Sequence, residues 1–264
     1  MKPIISSTGN PQIKNLISLQ KKSKARQEQG IFVVEGIKMF EEAKQAGLLV
    51  KAYASESFYT SVYRDNPEFF AGTDLELVTD GVFKEAAETL TPQGVMGTVK
   101  KLEYSLEDMI KSPEACLLLL EDIRDPGNLG TMVRTAEGAG MTGIILSGTS
   151  VDIYNPKVVR STMGSIFRVP FYYTDNLIDT VVELKERSIR VYAAHLSGRV
   201  YDTEDSFQDK CAILIGNEAN GLSAEAAKAA DTLIKIPMAG KVESLNAAVA
   251  AAILMYEAAR RRRK

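Results

Sequence analysis

Residues 115–148, ACLLLLEDIRDPGNLGTMVRTAEGAGMTGIILSG, place two apolar segments, ACLLLLEDI and TGIILSG, on either side of a segment of helical composition. Further apolar segments follow at intervals along the chain: FRVPFYY, IRVYAAH, CAILIG and TLIKIP. Near-continuous apolar strands that alternate with helices are typical of a parallel sheet covered by helices on both faces. This part of the sequence therefore predicts an α/β domain.

The first part of the chain has shorter strand-like segments, GIFVVEG, LVKAYAS, LELV and GTVKKLE, and it begins with a predicted helix capped by Asn10, with Pro11 at its first position. A polar segment, YSLEDMIKSPEA, separates the two parts and reads as a linker. The predicted division is a small N-terminal α/β domain over 1–103, a linker over 104–115, and the parallel-sheet domain over 116–264.

Composition excludes several classes of protein. The chain has 264 residues, of which 45% are hydrophobic and 25% charged, as in an ordinary globular protein. No apolar run approaches the roughly 18 residues of a membrane helix, and the N-terminus lacks the apolar core of a signal peptide, so the expected location is the cytoplasm. Cys116 and Cys211 lie in strand-like segments and are expected to be reduced core thiols. With one histidine besides, a metal site is not expected.

The formal net charge of -2 is unevenly distributed. The first 27 residues contain no acid, and the last five, Arg260 to Lys264, are all basic. The basic side chains of the N-terminal stretch are Lys2, Lys14, Lys21, Lys22, Lys24 and Arg26. Two cationic ends on an acidic body suit a polyanion partner, although each end could also be a solvated helix face.

Three loops follow predicted strands of the parallel sheet: 124–130, RDPGNLG; 216–223, GNEANGLS; and 237–246, PMAGKVESLN. The helix after the first loop is predicted to begin near Thr131, and the helix after the third is predicted to be capped by Ser244. Ligands of open parallel sheets bind beyond the carboxyl ends of the strands, and glycines there let the backbone approach a ligand closely. Each loop taken alone could equally be an ordinary turn.

Familiar nucleotide motifs are absent from the sequence. Gly138, Gly140 and Gly143 spell GxGxxG, but they follow a helix and precede a strand, which is the reverse of a dinucleotide-binding turn. Val242 stands where a phosphate-binding loop requires Ser or Thr. NAD and ATP are therefore not supported. His195, at the end of IRVYAAH, is interpreted as a structural or pocket-lining residue.

Together, the three loops and their flanks resemble the three motifs of the SpoU (TrmH) branch of the SPOUT RNA methyltransferases. NLGTMVRTAEGAG (128–140) resembles motif one, ILIGNEANGLS (213–223) motif two, and IPMAGKVESLNAAVAAAI (236–253) motif three, in the family's order and spacing. The segments FVVEGIKMFEEA and TPQGVMGTV are similar to the ribosomal-protein-like RNA-binding domain that many members carry at their N-terminus.

The resemblance implies an S-adenosylmethionine-dependent ribose 2′-O-methyltransferase with a deep trefoil knot, acting as a homodimer. It favours 23S-type ribosomal RNA as the substrate, with tRNA as the alternative. A SPOUT enzyme that methylates a base and a non-catalytic RNA-binding module of the same fold are rival interpretations. The residues that the resemblance places around the cofactor are Gly216, Ile236, Leu245, Asn217, Met238, Ser244, Asn246 and Leu196, with His195, Ser197 and Gly198 lining the same pocket.

For catalysis, the resemblance singles out Arg134, Asn128 and Glu218. A guanidinium near the 2′-hydroxyl would favour its alkoxide and could also grip the adjacent phosphate. Asn128 would orient the loop or the ribose, and Glu218 would hold Arg134 or the substrate. An ion pair between Arg134 and Glu137 on the helix surface is the structural alternative. Lys14, Lys21, Lys22, Lys24 and Arg26 are the predicted RNA-binding residues.

The alanine-rich segment of the last helix, NAAVAAAI, admits more than one interpretation. Small residues let neighbouring backbones pack closely, which suits a knot crossing or a subunit interface. A helix buried within a monomer would look the same in sequence.

Overall fold

The computed structural model describes residues 3–202, 207 and 210–263. The described residues form two compact units. One contains the residues up to Leu102 together with Tyr154–Phe167, and the other contains Glu103–Ile153 and the residues from Arg168 onward. Each unit is built on one β-sheet.

Helices and strands alternate along most of the described chain. Up to residue 110 they are α1 (Pro11–Lys21), α2 (Ser23–Gln29), β1 (Ile31–Glu35), α3 (Ile37–Gln45), β2 (Leu49–Ser55), α4 (Glu56–Asp65), β3 (Leu75–Val78), α5 (Asp80–Ala86), β4 (Val95–Lys100) and α6 (Leu106–Ile110). From residue 116 they are β5 (Cys116–Leu120), α7 (Pro126–Ala139), β6 (Gly143–Ser147), α8 (Pro156–Ser161), β7 (Phe171–Thr174), α9 (Leu177–Glu186), β8 (Arg190–Val200), β9 (Cys211–Ile215), α10 (Ala224–Ala229), β10 (Thr232–Lys235) and α11 (Ala247–Arg262). The alternation is interrupted where α2 follows α1 and where β9 follows β8 directly.

The first unit has a four-stranded mixed sheet in the order β1-β4-β2-β3. Strand β4 is antiparallel to both of its neighbours, whereas β2 and β3 are parallel. Helix α1 confirms the predicted start, because Pro11 is its first residue and the Asn10 side chain accepts a hydrogen bond from the Gln12 N–H at 2.8 Å. Its buried apolar residues, Ile13, Leu16 and Leu19, recur at helical spacing and pack into the core of this unit.

The second unit confirms the predicted parallel sheet. Its six strands lie in the order β10-β8-β9-β5-β6-β7, and every neighbouring pair is parallel. Alternate side chains of β5, Leu117 and Leu119, enter a buried cluster that also contains residues of α6, α9 and α10. Helices α7 and α11 pack against each other, and α7 also packs against β6 and α11 against β9. The sheet is therefore covered by helices on both faces.

Two segments lie differently from the sequence prediction of domains. Met109 and Ile110, within the predicted linker, are buried in the core of the second unit, where they belong to α6. Residues Tyr154–Phe167, which include α8, cluster with the first unit. The chain therefore enters the second unit, returns to the first for one short segment, and then completes the parallel sheet.

The predicted starts of two helices were wrong. Helix α7 begins at Pro126 rather than near Thr131, because the Asp125 side chain accepts a hydrogen bond from the Asn128 N–H at 2.8 Å and proline is favoured at the first helical position. Helix α11 is capped by Asn246 rather than Ser244, since the Asn246 side chain accepts from the backbone N–H of Ala248 at 2.9 Å.

The predicted strand FRVPFYY is also shorter than expected, because residues Ser165–Phe167 form a 3-10 turn and β7 begins only at Phe171. Cys116 and Cys211 confirm the interpretation as core thiols: they are buried and paired in register on β5 and β9. Within the described part of the chain, no helix has the length and apolar character needed to cross a membrane.

Candidate active site

The three loops of interest meet at one edge of the second unit's sheet. They follow β5, β9 and β10, which run parallel, so their carboxyl ends lie on the same side. The first loop continues directly into α7, the second turns back on itself before α10, and the third leads into α11. This shared edge brings together side chains that are 90 and 118 residues apart in sequence.

A chain of side-chain hydrogen bonds joins the three loops. The Asn128 amide donates to Glu218 Oε1 at 3.0 Å, and its oxygen accepts from the Asn246 amide at 3.0 Å. The orientation of the Asn128 amide is thus fixed by an acceptor on one side and a donor on the other. Since Asn246 also caps α11, the chain ends on the first turn of that helix.

Glu218 is held as a carboxylate by several donors. Besides Asn128, the backbone N–H groups of Arg124 and Asp125 donate to it at 3.2 and 3.1 Å. Burial raises the pKa of Glu218, but the hydrogen bonds from Asn128 and from the backbone together outweigh it, and the net pKa is lowered. A carboxylate with a lowered pKa is a weak proton acceptor, so its chemistry here is to orient its neighbours.

Arg134 lies on the exposed side of α7. Glu137, the partner in the structural alternative, instead accepts from the Arg168 guanidinium, with one contact at 3.2 Å. None of the described residues forms a hydrogen bond or an ion pair with the Arg134 guanidinium. Glu218 and Asn128 form a hydrogen bond with each other, and neither forms one with Arg134.

A cavity of about 340 Å³ opens beside this chain of hydrogen bonds. Such a volume is within the range of small-ligand sites, about 300 to 1,000 Å³. Of the predicted cofactor-binding residues, those that line it are Gly216, Asn217, Leu196, Ile236, Met238, Ser244 and Leu245. His195 and Glu218 line it as well. Asn246 is not among the lining residues, although Leu245 and Ala247 on either side of it are.

Ser197 and Gly198, which were expected in the same pocket, do not line the cavity. Gly216, which does, and Gly198 are both required by close backbone packing. A Cβ on Gly216 would lie 2.2 Å from the carbonyl carbon of Gly221. The loop closes there because Asn217 and Gly221 exchange backbone hydrogen bonds at 3.0 and 2.9 Å. A Cβ on Gly198 would lie 2.5 Å from the backbone of Ile234, so β8 and β10 also approach too closely for a side chain.

The lining suits S-adenosylmethionine chemically. Leu196, Ile236, Met238 and Leu245 offer apolar surface for an adenine ring, and the backbone of the closed loop at Gly216 offers polar groups at close range. The described part of the chain holds no cluster of residues suited to a metal ion.

Sequence reasoning missed Asp122 and Arg124, which precede the first loop's helix. Asp122 has a positive φ of 53°, a conformation that Asp tolerates better than most residues. Its N–H donates to Ser147 Oγ at 2.8 Å, and its carbonyl accepts from the Asn217 amide at 2.8 Å. The carboxylate lies 2.6 Å from Arg124 Nε. The only sequence signal for this arrangement was the polar run EDIRD at the end of a strand.

The predicted RNA-binding residues divide into two groups. Four are exposed: Lys14, Lys21, Lys22 and Lys24. Arg26, in contrast, is only 4% exposed, and its guanidinium donates to the carbonyls of Leu19 and Gln20 at the end of α1. It therefore stabilises a helix terminus.

The C-terminal arginines of the chain are also engaged within the second unit. Arg260 and Arg261 pair with Glu257, and Arg262 donates to the carbonyl of Glu114. Lys2 and Lys264, which belong to the two basic ends, lie outside the described residues.

Known proteins resemble both parts of the chain. Residues 115–256 match the SpoU rRNA Methylase family, and residues 10–97 match an MRM3-like substrate binding domain. The 23S rRNA (guanosine(2553)-2'-O)-methyltransferase RlmP of Bacillus subtilis is 33% identical over 96% of this chain and 97% of its own length.

Solved structures show the same similarity. A crystal structure described as an RNA 2'-O ribose methyltransferase superimposes with a TM-score of 0.84 at 32% identity, covering 98% of this chain and 99% of the other. The AdoMet-bound rRNA methyltransferase of Sinorhizobium meliloti has a TM-score of 0.84 at 33% identity, covering 98% of this chain and 97% of the other.

Proposed function

Because the chain belongs to the SpoU rRNA methylase family, we propose that it transfers a methyl group from S-adenosylmethionine to a ribose 2′-hydroxyl of ribosomal RNA. The observation that carries this proposal is the hydrogen-bonded chain from Glu218 through Asn128 to Asn246, beside the cavity that the predicted cofactor-binding residues line. Ribosomal RNA of the 23S type is favoured because RlmP, similar over nearly its whole length, carries that specificity in its name.

S-adenosylmethionine supplies a methyl carbon on a sulfonium, which is already a good leaving group. The protein therefore has to hold the methyl carbon and the acceptor oxygen in line and to manage one proton. We assign the backbone of Gly216, Ile236 and Leu245 to binding the cofactor, with the Met238 and Leu196 side chains against its apolar parts. Asn246 does not line the cavity. Its proposed role is to hold the Asn128 amide by a hydrogen bond and to cap the first turn of α11.

The acceptor side of the reaction is assigned to Arg134 and Asn128. An exposed guanidinium with no partner among the described residues can stabilise the alkoxide of the 2′-hydroxyl and contact the adjacent phosphate. An arginine normally keeps its proton, so its part is electrostatic. Glu218 fixes the Asn128 amide, which leaves the second N–H of that amide available to the ribose.

The N-terminal unit is proposed to hold the RNA through its four exposed lysines. As predicted from the sequence, residues 1–103 would bind the RNA substrate and residues 116–264 would transfer the methyl group. Its support is the match of residues 10–97 to a substrate binding domain. Deletion of the N-terminal stretch would not test this, because Ile13, Leu16 and Leu19 of α1 belong to the core.

A homodimer, a deep trefoil knot with a threaded C-terminal segment and a cytoplasmic location complete the proposal. Val249 and Tyr256 of α11 are 48% and 49% exposed, and seven residues apart they share one face of the helix. Two such apolar side chains near the exposed face of α7 suit contact with a second copy. A monomer in sedimentation at micromolar concentration would contradict the dimer.

Transfer of labelled methyl from S-adenosylmethionine to unmodified ribosomal RNA, and separately to tRNA, tests the proposed activity. We expect label in ribosomal RNA and resistance to alkaline cleavage at the modified position, because a 2′-O-methyl blocks that cleavage. Label in tRNA alone would assign the alternative substrate. Labelled RNA that is still cleaved by alkali at the modified position would indicate methylation of a base. A protein that does not bind S-adenosylmethionine at all would instead be a non-catalytic RNA-binding module.

A further inference from the structure

Arg124 is anchored beside the proposed acceptor site, and its side chain has no assigned role there. Its backbone N–H donates to Glu218 Oε2 at 3.2 Å. Glu218 lines the cavity and accepts from Asn128 through its other oxygen. Arg124 also precedes Asp125, the residue that caps the 14-residue helix α7. The base of the Arg124 side chain is therefore fixed at the mouth of the site.

The guanidinium of Arg124 lies beside a carboxylate of the same segment. Its Nε lies 2.6 Å from Asp122 Oδ1. Asp122 is itself tied to two other loops, since its N–H donates to Ser147 and its carbonyl accepts from Asn217. These bonds hold the backbone of Asp122 in place, and its carboxylate forms an ion pair, without a hydrogen bond, on the Nε side of the Arg124 guanidinium.

The other two nitrogens of the guanidinium remain available. The Arg124 side chain is 63% exposed, and its ion pair with Asp122 is through Nε. Within the described part of the chain, Nη1 and Nη2 form no hydrogen bond and no further ion pair. Two parallel N–H groups of an arginine match two oxygens of a phosphate. The start of α7 adds the positive end of a helix dipole close by, which also favours an anion.

Resting on the proposed function, we propose that Arg124 binds a backbone phosphate of the RNA next to the acceptor ribose. It is thereby a substrate-positioning residue, whereas Arg134 is assigned to the alkoxide of the 2′-hydroxyl and can share the contact with that phosphate. An exposed ion pair with Asp122 would contribute little to stability by itself. A role in folding alone therefore predicts no change in the salt dependence of RNA binding, whereas a phosphate contact does.

The test measures the affinity of Arg124→Ala for an unmodified 23S-type ribosomal RNA transcript over a range of salt concentrations. Removal of one charge-assisted phosphate contact should weaken binding roughly tenfold or more at low salt. The slope of log affinity against log salt should decrease in magnitude by about one. Affinity for S-adenosylmethionine, measured by calorimetry, should stay unchanged, because no cavity-lining side chain is altered.

Arg187→Ala is the matched control. Arg187 forms ion pairs with Glu107 and Glu183 at the end of α9, on the side of the sheet opposite the three loops. The substitution therefore removes the same charge far from the site. It should leave both the affinity and the slope as in the wild type. Arg124→Lys should keep the slope but recover only part of the affinity, because an ammonium cannot make the paired contact.

Equal affinity and equal slope for the Arg124→Ala and Arg187→Ala proteins would overturn the phosphate contact. Loss of cofactor binding in Arg124→Ala would also contradict it, by showing a general distortion of the site. Wild-type protein that binds the transcript but transfers no methyl group would refute the proposed function, while the salt slopes would still decide the contact of Arg124.

Discussion

Replacing Asn128 by aspartate changes one atom of the hydrogen-bonded chain and reverses its electrostatics. The amide oxygen that accepts from Asn246 is kept in Asn128→Asp. The amide nitrogen that donates to Glu218 becomes an oxygen, so two carboxylates then face each other across 3.0 Å. The substitution is isosteric, and its effect reports on this single contact.

The magnitude follows from the distance. Two unit charges 3.0 Å apart repel each other by about 1.4 kcal/mol in water and about 5.5 kcal/mol at an effective dielectric constant of about 20. Glu218 is exposed, so the lower figure applies more closely. The lost hydrogen bond adds about 1 kcal/mol. The free energy of unfolding at neutral pH should therefore fall by about 2 kcal/mol.

The pH dependence has opposite signs in the two proteins. In the wild type, the pKa of Glu218 is lowered from its usual 4.5, so its contribution to stability is present above that value and is lost as the pH falls. In Asn128→Asp the facing carboxylates raise the pKa of one of the pair, so the stability is full at low pH and is lost as the pH rises through that pKa.

Urea unfolding between about pH 4 and pH 7, with Asn128→Ala as the control, measures this difference. Asn128→Ala removes the donor without adding a charge, so on acidification its deficit relative to wild type should shrink less than that of Asn128→Asp, because only the hydrogen bond from Asn128 to ionised Glu218 is at stake. A stability difference between wild type and Asn128→Asp that stays constant with pH would refute the contact between Asn128 and Glu218.

Four further predictions concern other parts of the molecule. Arg134→Ala should reduce methyl transfer about 100-fold or more with cofactor affinity by calorimetry retained; lost cofactor affinity would contradict its assignment to the acceptor. Gly216→Ala should abolish cofactor binding, because its Cβ would lie 2.2 Å from the backbone of Gly221, whereas Gly240→Ala meets nothing within 4 Å and should bind normally. Burial, together with nearby carboxylates, raises the pKa of Tyr53 from 10.0 to about 12. The contribution of Tyr53 to the free energy of unfolding should therefore be complete below pH 10 and decrease as the pH approaches 12. In urea unfolding, Tyr53→Phe should not show this alkaline decrease. Changing the four exposed lysines of α1 and its C-terminal flank to glutamine should flatten the salt dependence of RNA binding, and an unchanged slope would make them solvated surface residues.

Sequence reasoning predicted the elements whose signals are local. The parallel sheet followed from the continuous apolar strands, and the start of α1 followed from Asn10 and Pro11. The helix starts at Pro126 and after Asn246 were missed because each segment offers several possible caps, and only the folded loop selects one. Asp125 competed with later residues, and Asn246 competed with Ser244.

The candidate site was predictable as a set of residues but not as an arrangement. The motifs indicated Asn128, Glu218 and Asn246, yet nothing in the sequence shows that Asn128 lies between the other two. Burial of Arg26 was equally hidden, since a cationic residue in a basic stretch gives no sign that carbonyls at the end of α1 accept from it. Both depend on contacts between segments that only the fold brings together.

Asn246 ends the hydrogen-bonded chain and also closes the first turn of α11, so the two roles share one side chain. Any change that releases Asn128 frees Asn246 to rotate, and the backbone amides of Ala248 and Val249 then lose a fixed acceptor. Their deuterium uptake becomes a remote reporter of the acceptor site. A ligand that tightens the chain should slow exchange at these two amides without touching the helix itself.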